Sequence, residues 1–202
     1  MKIGIISGSH RNPSQSEKVA SYIQQQLMDQ SIETWLFTLA DNPLPLWDQS
    51  IWENDESWNS RLDPIKKELS GCDGFVVIAP EWHGQVPAGL KNFFLMFSRF
   101  ELGHKPAMIV AVSSGDGGAY PVAELRMSSY KNNRLCYIPE QLIVRNVEKV
   151  LNEDASTNDE SADSYYRERI DWALGILKGY SKALKSMRET TQIFHDKFGN
   201  GM

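Results

Sequence analysis

Hydrophobic positions along the chain change period several times, and each change marks an element. Residues 3–7 form a short continuous apolar run ending in Gly8 and Ser9, the pattern of a strand covered on both faces. From Ser14 to about Gln30, Val19, Ala20, Ile23 and Leu27 recur at helical spacing. Residues 32–40 read as a second strand. Residues 41–59 carry two prolines and three tryptophans without a clear period, so a long loop bearing apolar side chains is expected.

Trp58, Leu62, Ile65 and Leu69 then mark one face of a helix ending at Gly71, with Pro64 inside the pattern. An interior proline costs about 3 kcal/mol, so the helix is either kinked or starts afresh with Asp63 as its cap. A third strand is expected at residues 74–80, a helix at 89–100 and a fourth strand at 106–115. A helix through Ala123 and Met127 follows, then a fifth strand within 136–147. Residues 151–163 are acidic and poor in apolar residues, a solvated loop. Tyr166, Ile170, Ala173, Leu177, Tyr180 and Leu184 trace the inner face of a long last helix. The expectation is one domain over residues 1–190 and a flexible tail over 191–202.

Strands alternating with helices predict a doubly wound α/β domain with a parallel sheet, because parallel neighbours need crossovers and helices cover both faces. Ligands in such sheets sit beyond the carboxyl ends of the strands. That rule selects the loops "SGSHRNPSQS" after the first strand, "APEWHGQVP" after the third and "SSGDGGAY" after the fourth.

Composition narrows what these loops can hold. The 202 residues suit one core, and 41% hydrophobic with 23% charged residues is ordinary for a globular protein. A net charge of −5 offers no footprint for nucleic acid or an anionic membrane, so any bound anion must be held by local geometry. Cys72 and Cys136 fit neither a CxxC nor a zinc spacing and read as free thiols, which favours a cytoplasmic location. The N-terminal apolar run is too short for a signal-peptide core, and no stretch reaches the length of a membrane span.

In the first loop, Ser9, Ser14 and Ser16 offer hydroxyls and Arg11 a planar fork suited to phosphate oxygens, with the following helix adding its positive end. Ser14 and Glu17 equally match a capping box that needs no ligand. Both readings stand on this stretch alone. Neither GxxxxGK[ST] nor GxGxxG follows the strand, which disfavours an NTPase or a dinucleotide-binding Rossmann site. In the second loop, Pro80, Trp82, Gly84 and Pro87 make a stiff turn whose backbone could border a flat heterocycle, or simply connect strand to helix. Glu81 and His83 lack a third ligand at metal spacing, so no metal is expected. His10, His104 and His195 are scattered and read as surface or packing residues. In the third loop, Gly115, Gly117 and Gly118 allow either a close ligand or a tight turn. A phosphate donor set, a flat platform and a glycine loop at one sheet edge together fit flavin mononucleotide (FMN).

"GSHRNPSQSEKVA" resembles the GSxRxxSxxxxLA phosphate loop of the NAD(P)H-dependent FMN reductases, "PEWHGQVPAGLKN" resembles their PEYNGSxPxxLKN segment, and "NPLPLWD" their LPLYD segment. The likeness covers about residues 1–150. It implies a flavodoxin-like fold with strand order 2-1-3-4-5, with Ser9, Arg11, Ser14, Gln15 and Ser16 at the FMN phosphate. Pro80, Glu81, Trp82, His83 and Gly84 would border the isoalloxazine, mainly through backbone, and Ser113, Gly115 and Gly117 would line its other side. Trp82 and His83 stand where the family usually has Tyr and Asn. The implied chemistry is ping-pong hydride transfer from NAD(P)H through FMN to a quinone, azo compound or free flavin, with no obligate side-chain acid or base. The competing readings are an FMN electron carrier and a flavodoxin-like scaffold without flavin. The helix at 89–100 is apolar on more than one face, and with the tryptophan-rich loop it predicts a homodimer or homotetramer interface.

Overall fold

The computed structural model describes residues 1–53, 55–193 and 197–200. Its strands are β1 (Lys2–Ser7), β2 (Glu33–Thr38), β3 (Gly74–Pro80), β4 (Pro106–Val112) and β5 (Cys136–Val144). They form one parallel sheet in the order β2-β1-β3-β4-β5. The strand order predicted by resemblance is therefore the observed one. β3 and β4 are buried along their whole length, as continuous apolar runs require, whereas β2 at one edge is only partly covered. Pro139 lies in β5, the other edge, where a missing N–H leaves no ladder position unpaired on the open side.

Helices α1 (Gln15–Asp29) and α6 (Glu160–Thr190) cover one face; α2 (Glu56–Gly71), α3 (Ala88–Met96), α4 (Arg99–Leu102) and α5 (Ala119–Ser128) cover the other. Strand alternation divides the two cores. Phe75, Val77 and Ala79 pack towards α2, α3 and α5, while Val76 and Ile78 pack towards α1 and α6. No helix among the described residues is long and apolar enough to cross a membrane.

Several boundaries differ from the sequence expectation. α2 starts eight residues before Pro64, on Asp55, whose carboxylate accepts the Ser57 and Trp58 N–H groups, so Asp63 is not a cap. Pro64 is exposed, which places the carbonyl it leaves unpaired on the solvent side. The helix expected over 89–100 breaks at Phe97. Ser98 and Glu101 form a capping box there and begin α4, a signal that the strong apolar pattern of "FFLMF" masks. Ala123 and Met127 lie on the outer face of α5, whose buried side is Pro121, Val122 and Leu125. On α6, Tyr180 is 39% exposed and the buried position is Ser181.

The acidic stretch 151–163 is also more ordered than a solvated loop. Leu151 is buried, residues 155–157 form a 3-10 turn capped by Asp154, and α6 begins at Glu160 with Asp159 as its cap. Residues 194–196 and 201–202 of the expected flexible tail, His195 included, lie outside the described residues.

Candidate functional site

The carboxyl ends of β1, β3 and β4 bring the three selected loops together. Ser7 lies in register with Ile78, Pro80 with Val112, and the Gly8 N–H continues the ladder to the Ile78 carbonyl at 2.8 Å. After Gly8 the chain leaves the sheet. Ser9 is buried and its hydroxyl accepts the Arg11 N–H at 3.3 Å, turning the backbone outward. The Asn12–Pro13 peptide bond is cis. Ser14 then caps α1, its hydroxyl accepting the Glu17 N–H at 3.0 Å, while the reciprocal Glu17 bond of a capping box is not formed. The first turn therefore keeps the Gln15 and Ser16 N–H groups free of intrahelical partners at the positive end of a four-turn helix.

The side chains here are also short of partners. Ser7 Oγ, His10 Nε2 and Gln15 Oε1 are buried and make no hydrogen bond among the described residues. Such atoms cost about 1–3 kcal/mol each when left unpaired. The Arg11 guanidinium is exposed and has no ion-pair partner among the described residues. Lys18, one turn further on, faces away. Its ammonium donates to the Val147 and Val150 carbonyls and to Asn152, and burial pushes its pKa down. Arg11 is thus the cation the loop offers.

The second loop is a two-residue hairpin turn. Trp82 and Gln85 exchange backbone hydrogen bonds at 3.1 and 3.0 Å, and His83 (φ 49°) and Gly84 (φ 71°) between them are both left-handed. That is the type I′ geometry, which favours Asn-Gly and tolerates His ahead of glycine. His83 is exposed. His10 from the first loop meets Trp82 edge-on, with ring centroids 5.5 Å apart, so the phosphate-type loop and the platform loop touch directly. The sequence gives no hint of this contact because the two residues are far apart in the chain.

The third loop is pinned from both sides. The Ser113 hydroxyl accepts the Gly115 N–H, Arg145 Nε donates to the Gly117 carbonyl at 3.0 Å, and Asn146 donates to Asp116. Gly118 (φ 103°) begins α5, a backbone state that disfavours any side chain. Gly115 has open space where a side chain would start, whereas the space beside Gly117 is filled by the Glu81 carboxylate.

Asn92 was not among the predicted site residues, yet it joins two of the motif segments. It is buried within the apolar α3, accepts the Trp47 N–H at 2.8 Å and donates to the Pro45 carbonyl at 2.7 Å. A buried amide in an otherwise apolar helix is the signal that reveals it. This bond pair fixes the "LPLW" segment along a groove of about 870 Å³ lined by Trp47, Trp52, Phe94, Phe97 and Phe100. The groove adjoins the second loop at Val86 and α3 at Lys91, and its lining does not include the first or third loop. Among the described residues no three His, Cys, Asp or Glu side chains gather as metal ligands would.

The sequence profile described as NADPH-dependent FMN reductase matches residues 1–149. The chain belongs to that family. An NADPH azoreductase of Bacillus sp. (strain OY1-2) is 30% identical over 147 residues, 71% of this chain and 76% of the relative. An FMN-dependent NADPH-azoreductase of Staphylococcus saprophyticus is 27% identical over 128 residues, 63% of this chain and 68% of the relative. In fold, the chain is similar to the flavoenzyme NAD(P)H:(acceptor) oxidoreductase FerB of Paracoccus denitrificans, with a TM-score of 0.68 and 19% identity, over 92% of this chain and 97% of that one. All three loops fall within the part matched by the family, while α6 lies beyond it.

Proposed function

We propose that this member of the family is an FMN-dependent oxidoreductase that takes hydride from NAD(P)H and passes it to a quinone, azo compound or free flavin. The observation that carries the reading is the concentration in the first loop of buried polar atoms, at Ser7, His10 and Gln15, that have no partner among the described residues, beside the first-turn N–H groups of α1 and an exposed Arg11 with no ion-pair partner among them. A phosphate fits that set. Hydroxyl and imidazole donate, and the two ends of the Gln15 amide exchange by a half-turn so that its NH2 also donates. Ser9, Arg11, Ser14, Gln15 and Ser16 hold the phosphate in this reading. The backbone of Pro80, Glu81, Trp82, His83 and Gly84 borders one side of the ring, and that of Ser113, Gly115 and Gly117 the other.

FMN, when bound, supplies the hydride chemistry, and the protein supplies orientation, hydrogen bonds and exclusion of water. The left-handed turn at His83 and Gly84 presents main-chain groups instead of bulky side chains, which suits a ring that must remain open to NAD(P)H and then to the acceptor. The unit that does this is residues 1–190, since α6 packs on the same sheet whose edge carries the loops. The exposed Leu95, Phe100 and Trp52 beside the aromatic groove support a homodimer or homotetramer, because large apolar side chains gathered on one face gain by mutual burial. Two free cysteines and no Cys pair support a cytoplasmic setting.

The deciding experiment titrates FMN into the apoprotein and adds NADPH without oxygen while the flavin absorbance is followed. Binding followed by rapid bleaching is expected. Binding without bleaching assigns the chain to electron carriage between proteins, and absence of binding removes the flavin altogether. Light scattering checks the assembly: a monomer mass at every concentration excludes the oligomer.

A further inference from the structure

We infer that the Glu81 side chain is a positioning residue that locks the two ring-bordering loops into a single platform. The inference rests on the FMN reading and goes beyond it, because sequence resemblance has Glu81 border the ring mainly through its backbone and assigns its carboxylate no task. In the structure its backbone N–H is bound to the Val112 carbonyl at 2.9 Å, so the residue starts the second loop from the end of β4's ladder. Its side chain then crosses to the third loop. Glu81 Oε2 accepts the Gly118 N–H at 2.5 Å, and Glu81 Oε1 lies where a side chain on Gly117 would be only 2.8 Å away.

Three features make this carboxylate the natural joint. Gly118 is buried and begins α5 with no side-chain cap of its own, so its N–H depends on Glu81. The positive end of α5 faces the carboxylate, which strengthens a charge-assisted bond. Arg145 holds the Gly117 carbonyl as well, so the third loop is tied by a second side chain next to the position where Glu81 is seated. The missing side chain at Gly117 is thus explained by the protein's own carboxylate.

The experiment uses the full chain with Glu81→Ala and Glu81→Gln. Amide hydrogen exchange at Gly118 in the apoprotein reads the joint directly, and titrations with FMN, riboflavin and inorganic phosphate read its consequence. Glu81→Ala is expected to speed Gly118 exchange and to weaken FMN and riboflavin alike by about tenfold, the loss of one charge-assisted bond. Phosphate affinity stays within about twofold, since the first loop is untouched. Glu81→Gln keeps an acceptor and restores most of the flavin affinity. Unchanged flavin affinity in Glu81→Ala, or phosphate binding weakened as much as riboflavin binding, overturns the inference. A glutamine variant as weak as the alanine variant overturns it too. Failure of the wild type to bind either flavin overturns the FMN reading instead, and Gly118 exchange in the apoprotein still decides whether the joint exists.

Discussion

The two ends of the sheet treat polar groups in opposite ways. At the amino end, Asp73 accepts the Lys2 N–H at 3.0 Å and the Lys185 ammonium at 3.0 Å, with the N-terminal ammonium and Arg188 at 4.0 Å. Lys105, 6% exposed, donates to the Leu69 and Ser70 carbonyls at 2.7 and 2.9 Å and so closes the last turn of α2. Arg188 caps the knot by donating to the His104 carbonyl. At the carboxyl end, Ser7, His10 and Gln15 each keep a buried polar atom without a partner, and Arg11 has no ion-pair partner, among the described residues. A fully satisfied network contributes stability, and a set of unsatisfied groups at a loop edge costs stability unless a ligand completes it. One end of the sheet is built for the fold, and the other holds the groups that the proposed FMN phosphate would satisfy.

The largest effect tests the amino end. Asp73→Ala removes the carboxylate that the Lys2 N–H and Lys185 share and the more distant partner of Arg188, which keeps its bond to the His104 carbonyl, and a loss of about 3 kcal/mol is expected, a fall of roughly 10 °C in Tm for a chain of this size. FMN affinity of the folded protein should not change. Burial by itself would raise the pKa of Asp73, but the Lys185 ammonium and the Lys2 N–H hold it below the ordinary value. The folded carboxyl thus releases its proton more readily than the unfolded one, so its contribution is complete above the ordinary carboxylate range and is lost as pH falls through the folded pKa. Thermal melts of both proteins down the acid limb check this: the gap between them should close. A gap that persists in acid would show that Asp73 acts by packing alone.

Arg11→Ala tests the other end and should reverse the pattern. FMN affinity is expected to fall by ten- to a hundredfold, about 1.4–2.7 kcal/mol, while the apoprotein Tm moves by less than about 2 °C. Ser14 still accepts the Glu17 N–H in this variant, so the helix start survives without the cation. Unchanged FMN affinity, measured by flavin fluorescence, would reduce the first loop to a cap and dissolve the contrast between the two ends.

Lys105 sharpens the comparison by pH. Burial lowers its pKa from 10.5 to about 8, so between those values the unfolded chain holds a proton that the folded chain has released, and stability rises with pH. Cys72 opposes it at higher pH: burial pushes its thiol from 9.0 to about 12, so above 9.0 the unfolded chain loses a proton that the folded chain keeps, and stability falls. The clean window is therefore pH 8–9. In it, the wild type should gain about 1 kcal/mol relative to Lys105→Met, and urea melts at the two pH values measure the difference. Equal slopes would mean that Lys105 keeps its charge in place.

The sequence made the sheet and the motif loops legible for different reasons. Strand runs such as residues 74–80 are apolar throughout because both faces are covered, and their short length between Gly74 and Pro80 sets them apart from a buried helix. The loops were legible through family resemblance, since "GSHRNPSQS" by itself also describes a helix cap, and in the structure Ser14 does cap α1. What stayed hidden depends on side chains meeting across the chain. His10 against Trp82, Asn92 against Pro45 and Trp47, and Glu81 against Gly118 are all pairings between segments distant in the chain. The amino-end knot was invisible for the same reason: residues 2, 73, 105, 185 and 188 meet only after the sheet has formed. Local period predicts elements, and it is silent about contacts of high sequence separation.

The smallest expected effect concerns His83, the position where the chain departs from the family's usual Asn. If the second loop contributes through its main chain, the residue matters only by tolerating φ 49° ahead of Gly84, and Asn tolerates that conformation at least as well. His83→Asn should then change stability by less than about 0.5 kcal/mol, the ordinary range for an exposed substitution. FMN affinity should stay within about twofold, because the Trp82–Gln85 bonds that shape the turn use no side-chain atom. A flavin titration that shifts by tenfold would place the imidazole itself against the ring. The carboxyl end would then bind through a chain-specific side chain as well as through the shared backbone turn, and its separation from the amino-end network, where every contact is made by a named side chain, would narrow.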